Sequence, residues 1–163
     1  MNAINIYYGT NENAELSNFA IRPFIIHGVK YDCVEQYFQI MKFTIDGVYT
    51  CDKNSEEGRK SQARIDSLIE KMHNTKSGKI LKKLGGTRIK NATFNAGLWT
   101  QASQNVMREG ILESFKQNPT FLKKLLETGD AIITHRQDKS RWGTLFPKIL
   151  MDVREQLKES QII

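Results

Sequence analysis

Read for its hydrophobic and polar positions, the chain opens with short strand-like runs and then turns helical for most of its length. Ile4 to Tyr8 and Arg22 to Ile26 have strand character, and His27-Gly28 supplies a two-residue turn into Val29 to Tyr31, predicting a hairpin. From Asp32 to Phe43, Val34, Tyr37, Phe38 and Met41 give the apolar packing of a short helix. Ile65, Leu68, Ile69 and Met72 mark another helix, and Ile80, Leu81 and Leu84 a third that Gly85-Gly86 stops. The longest helix is predicted from Leu98 to Lys116, with Leu98, Ala102, Val106, Ile111, Leu112 and Phe115 inward. Asn118-Pro119 then starts a helix carrying Phe121, Leu122, Leu125 and Leu126, and Thr128-Gly129-Asp130 ends it. Ala131 to Thr134 reads as a buried strand, and a final helix starting near Pro147 buries Ile149, Leu150, Val153 and Leu157. The expected architecture is α+β, a predominantly helical single domain over residues 1–163 with a small sheet.

Composition fits that picture: of 163 residues, 39% are hydrophobic and 26% charged, which is ordinary for one globular domain. No apolar run approaches the ~20 residues of a membrane span, and MNAINIYYGT lacks the layout of a secretory signal, so a cytoplasmic protein with no membrane partner is expected. Cys33 and Cys51 are far apart and outside any CxxC spacing, which supports neither a zinc site nor a disulfide framework. Cys33 stands at a helix start, where a thiol can be acidified, but reads as a small buried hydrophobe. Charge changes the picture more. Residues 53 to 90 hold eleven Lys or Arg against four acids within a chain of net charge +6, leaving the remainder about neutral. Such a section suits an anionic partner or a solubilising helix surface. It contains no aromatic residue, which removes the stacking platform of a single-strand binder.

The candidate chemistry lies on the helix over 32–43. Glu35, Gln39 and Lys42, at i, i+4 and i+7, share one face and place a carboxylate, an amide and an amine together. The same residues also fit a bland reading, in which Asp32 and Glu35 form a capping box and the polar face is solvated. LGGTR lacks the spacing of a phosphate-binding P-loop. Asn18 can donate and accept at a sugar or base edge, and Phe19, Trp99 and Trp142 can stack on a nucleobase or fill a core. Asp130 can hold ribose hydroxyls, orient a water or cap its turn. His135 can contact a phosphate or base, but His27, His73 and His135 have no metal-ligand spacing. No metal or cofactor is expected, and the oligomeric state is open.

Several blocks, in order, carry a family resemblance: ELSNF at 15–19, PFIIHGVKY at 23–31, VEQYFQIMK at 34–42, LW at 98–99, ESFKQNP at 113–119, LLETGD at 125–130, RWG at 141–143 and the closing FPKILMDVREQL. Together they resemble the NADAR, or YbiA-like, family of N-glycosidases and ADP-ribosyl hydrolases across nearly the whole chain. The resemblance implies a metal-independent N-glycosidase acting where an amino nitrogen is attached to ribose C1. Its substrates would be guanine carrying ADP-ribose in DNA or phosphoribosylamino intermediates of riboflavin synthesis. It also places the block around Trp99 beside the substrate pocket. On these terms Glu35, Lys42 and Asp130 are the catalytic candidates, with Glu35 as acid and base and Lys42 as a nucleophile or anion holder. Asn18, Phe19, Gln39, Trp99, Trp142 and His135 are the binding candidates. The chain departs from many relatives at Gln36, where they carry a His, and at Thr134-His135-Arg136, where they often carry an acid. A noncatalytic module binding an ADP-ribose-like nucleotide, and a basic nucleic-acid-binding protein, are the alternatives from other classes.

Overall fold

A computed structural model describes residues 2–161 of the chain. It contains six helices and three two-stranded sheets among the described residues, an α+β fold. The chain divides into two compact units, residues 1–34 with 107–163, and residues 35–106. None of the described helices is long and apolar enough to cross a membrane.

In the first unit, β1 (Ala3–Asn5) pairs in parallel with β6 (Ile132–Thr134), Ile4 opposite Ile133. The first strand is shorter than Ile4 to Tyr8 suggested, because the chain turns into a single 3-10 turn at Tyr8–Thr10 and Tyr7 pairs back onto Glu12. The segment 131–134 is only half buried: Ile133 is 2% exposed and Ile132 43%. A two-stranded sheet leaves alternate side chains facing water, whereas a strand covered on both faces would not. The hairpin forms as expected from β2 (Phe24–Ile26) and β3 (Val29–Tyr31), with His27 at φ 52° and Gly28 at φ 78°. Two successive left-handed residues make the primed turn that matches strand twist.

Arg22 is not part of that strand. Its side chain is fully buried, donating from Nη1 to the carbonyls of Glu15 and Ser17 at 2.8 Å each and from Nε to Ser114 Oγ at 3.3 Å. The guanidinium lies 4.1 Å from the centroid of the Phe115 ring.

The helix α5 (Pro119–Glu127) has Asn118 at its N-cap and Pro119 in its first turn, as the sequence suggests. Gly129 follows at φ 59°. The last helix, α6 (Trp142–Ser160), begins five residues before Pro147, which lies buried inside it. Proline has a helical φ and forfeits one hydrogen bond here, early in the helix, where its apolar ring is buried. The Gly of RWG has a separate cause: a Cβ on Gly143 would collide with the Asp138 carbonyl.

The second unit holds most of α1 (Val34–Thr44), then β4 (Tyr49–Cys51), α2 (Glu56–His73), α3 (Gly78–Gly85), β5 (Ala92–Phe94) and the start of α4 (Ala96–Lys116). Ser55 caps α2 by accepting from Gly58 N at 2.9 Å, and Asn95 receives Leu98 N at 3.0 Å at the head of α4. The buried stripe of α4 is rotated from expectation. It runs through Trp99, Ser103, Val106, Met107, Ile111 and Phe115, while Leu98, Ala102 and Leu112 are half buried. On α3, Leu81 is buried together with Gly78 and Gly85, and Ile80 is 50% exposed. Gln36 is fully buried, and its side-chain amide donates to the carbonyls of Met72 (2.9 Å) and Thr75 (3.0 Å). It therefore ties α1 to carbonyls at and just beyond the end of α2, a structural task for this side chain.

Candidate active site

The face carried by α1 is buried rather than solvated. Glu35 is 7% and Gln39 8% exposed, and Gln39 Nε2 donates to Glu35 Oε1 at 2.8 Å. One carboxylate oxygen is thus fixed as an acceptor by a neighbour one turn along. Burying a carboxylate is costly without such partners. A solvated capping face would not arrange Gln39 over Glu35 away from water.

Lys42 completes the face. It is half buried, and its Nζ donates to the Gly85 carbonyl at 2.8 Å. The amine lies 5.5 Å from the Phe94 ring centroid and 5.9 Å from that of Phe43. Phe43, Tyr49 and Phe94 form a continuous aromatic run, with centroids 4.8 and 4.9 Å apart. Burial lowers the Lys42 pKa from the usual lysine value, and the charge of Glu35 works in the opposite direction. The result is an amine easier to deprotonate than a surface lysine, within electrostatic range of the Glu35 carboxylate.

Gly85, which the sequence marks as a helix stop, also lies against the α1 face. It does end α3, yet Gly86 follows at φ −85°, so no left-handed cap is involved. What Gly85 provides is space: a Cβ there would fall on the side-chain amide of Gln39. Its carbonyl also receives Lys42. One glycine thus permits the Gln39 position and orients the amine. Gly85→Ala is expected to lower stability by about 1–3 kcal/mol through overpacking and to reduce turnover. Gly86→Ala, with nothing closer than 3.5 Å to its added carbon, is expected to stay within about 0.5 kcal/mol of wild type. Urea unfolding of the two variants checks the difference.

Trp99 is buried in the same unit, its ring centroid 5.1 Å from that of Phe38. The remaining candidates belong to the first unit. Asn18 Nδ2 lies 3.1 Å from Met107 Sδ, while its Oδ1 is buried without a hydrogen-bond partner. Phe19 meets Tyr8 edge-on at 5.7 Å. His135 Nδ1 is 2.7 Å from the Ile6 carbonyl, which requires the proton on Nδ1, and Nε2 is 3.8 Å from Asp138. Trp142 has the Arg141 guanidinium 4.9 Å above its ring. Asp130, 92% exposed, is 3.8 Å from Lys158. The structure therefore groups Glu35, Gln39, Lys42 and Trp99 in one unit, and Asn18, Phe19, Asp130, His135 and Trp142 in the other. Among the described residues no three His, Cys, Asp or Glu side chains gather as a metal site would need.

The NADAR domain family matches residues 6–148 of the chain. The chain belongs to the NADAR family. The match takes in every candidate position, from Asn18 to Trp142. Two relatives named N-glycosidase YbiA, from Shigella flexneri serotype 5b (strain 8401) and Escherichia coli (strain K12), are each 26% identical over 94% of this chain and 88% of their own length. The NMR structure of the Escherichia coli protein YbiA superposes with a TM-score of 0.72 at 22% identity, covering 99% of this chain and 88% of that one. The NADAR fold is therefore the fold of this chain.

Proposed function

We propose that this chain is an N-glycosidase that cleaves the bond between an amino nitrogen and ribose C1, removing ADP-ribose from ADP-ribosylated guanine in DNA. The observation that carries this reading is Lys42: a half-buried amine of lowered pKa, held at 2.8 Å by Gly85 and coupled to the Glu35 carboxylate. The family membership and the N-glycosidase name of its relatives support the reaction class.

The chemistry follows from those groups. The aminoribose opens to a protonated imine at C1, the ring oxygen taking its proton from Glu35 to become a hydroxyl. The neutral Lys42 amine adds its lone pair to C1, and Glu35 moves the proton from Nζ to the departing nitrogen. The C1–N bond to guanine then breaks, leaving the base with its amino group restored and Lys42 as a protonated imine on C1. Water adds at C1 while Glu35 takes its proton and passes it to Nζ, the C1–Nζ bond breaks as the C1 hydroxyl returns its proton to Glu35, and the freed aldehyde closes to ADP-ribose. Gln39 positions Glu35, and Gly85 turns the amine.

The direct test is incubation of the protein with a guanine-ADP-ribosylated oligonucleotide in EDTA, with release of ADP-ribose as the readout. Release supports the reading and its independence from divalent metal. Cleavage of a phosphoribosylamino compound alone would move the substrate to a free metabolite. Tight binding without turnover would favour a sequestering module.

The coupling within the site predicts a pH effect of definite sign. Glu35→Gln removes the anion that favours the Lys42 ammonium, so the Lys42 pKa should fall further below the usual lysine value. Borohydride capture of a small aldehyde on Lys42, followed across pH, should show a midpoint at lower pH in the variant than in wild type. An unchanged or higher midpoint would contradict the coupling.

A further inference from the structure

The segment from Lys76 to Lys90 contains six basic residues and no acidic one. On α3, Lys79, Lys82 and Lys83 are exposed while Gly78, Leu81 and Gly85 are buried, and all six cations of the segment are exposed. Among the described residues none of the six takes part in an ion pair, as is also true of Lys53, Arg59 and Lys148; what sets the segment apart is six cations with no acid among them. The dipole of α3 accounts for Lys82 and Lys83 at its last turn, but not for Lys76, Arg88 and Lys90, which lie outside the helix. A solubilising surface needs charge of either sign and ordinarily mixes both.

This cationic ridge is also anchored to the site. Its middle is Gly85, whose carbonyl holds Lys42 and whose missing side chain admits Gln39. At its end the Lys90 carbonyl accepts from Ser61 Oγ of α2. With eight residues, α3 is about 12 Å long, enough to meet more than one phosphate along a strand. No aromatic residue lies in the ridge, so contacts there would be to backbone charge rather than to stacked bases.

We propose that the Lys76–Lys90 ridge is the docking surface for the phosphodiester backbone of the modified nucleic acid, holding the strand beside Lys42. This rests on the glycosidase reading and specifies its substrate as polymeric. The backbone contacts are independent of sequence and screened by salt, and they raise the affinity of a strand without touching the bond that is cleaved.

The experiment compares wild type with Lys82→Gln/Lys83→Gln and with Lys79→Gln/Arg88→Gln, using an ADP-ribosylated oligonucleotide and the ADP-ribosylated guanosine nucleoside, which carries the same bond without a backbone. The proposal expects KM for the oligonucleotide to rise about tenfold or more at about 0.1 M salt in either variant, with nucleoside turnover unchanged. Equal losses on both substrates would overturn it, placing the ridge on the pyrophosphate of ADP-ribose itself. No loss on either would overturn it in favour of a solvated surface. Failure of wild type on both substrates counts against the glycosidase reading, and the ridge is then decided by fluorescence anisotropy with an unmodified oligonucleotide. There, a log–log salt slope smaller by about 1.4 in the double variants supports the docking surface, and an unchanged slope overturns it.

Discussion

Lys42→Ala is expected to reduce ADP-ribose release by about 10³-fold or more, and Lys42→Arg to rescue none of it. Arginine keeps the positive charge, so a role confined to holding phosphate would survive that change in part. A nucleophilic amine would not, because guanidinium stays protonated. Glu35→Gln is expected to cost about 10²- to 10⁴-fold, the usual scale for a general acid and base. It keeps the shape and can still meet Gln39, so the loss would report proton transfer rather than packing. Steady-state kinetics beside thermal unfolding separates the two. An active Lys42→Arg enzyme would remove the covalent step from the mechanism.

Arg22→Ala is expected to lower unfolding free energy by about 3–5 kcal/mol, the scale for removing one partner from a buried charged network. Burial pushes the Arg22 pKa down to about 9, so the group is still a cation at neutral pH and is held by carbonyls, a hydroxyl and an aromatic face. Truncation removes the Arg22 donor from the Glu15 carbonyl, leaves the Ser17 carbonyl with Ala20 N alone, and opens a cavity next to Phe115. Arg22→Met restores volume but no donor, and should recover only part of the loss. A urea midpoint within about 1 kcal/mol of wild type for the alanine variant would contradict this account.

What could be read from the sequence was what neighbouring residues decide. The His27-Gly28 turn is local chemistry, and the hairpin followed. The i, i+4, i+7 spacing of Glu35, Gln39 and Lys42 is fixed by helix geometry, so their common face was visible, although nothing in the spacing told whether it was wet or buried. The pairings β1 with β6 and β4 with β5 join segments far apart in sequence, and three-residue strands such as Tyr49–Cys51 carry too little pattern to announce themselves. Gly85 shows the same limit within the site. Its local signal, a Gly pair after Leu84, describes a helix end, while its role beside Gln39 exists only once α1 and α3 are packed. Arg22 looked like the first residue of a strand because Ile21, Phe24 and the isoleucines after it set the pattern. Pro147 misled for a different reason, since proline favours a first helical position but is tolerated where a helix has only just begun.

The most direct test of the Lys42 face as the place where ribose C1 is held is borohydride reduction during turnover of a guanine-ADP-ribosylated oligonucleotide, followed by peptide mapping. A ribose-derived adduct is expected on the peptide containing Lys42, absent from Lys42→Arg and sharply reduced in Glu35→Gln. Rapid turnover with no adduct, or an adduct on a different lysine, would contradict it.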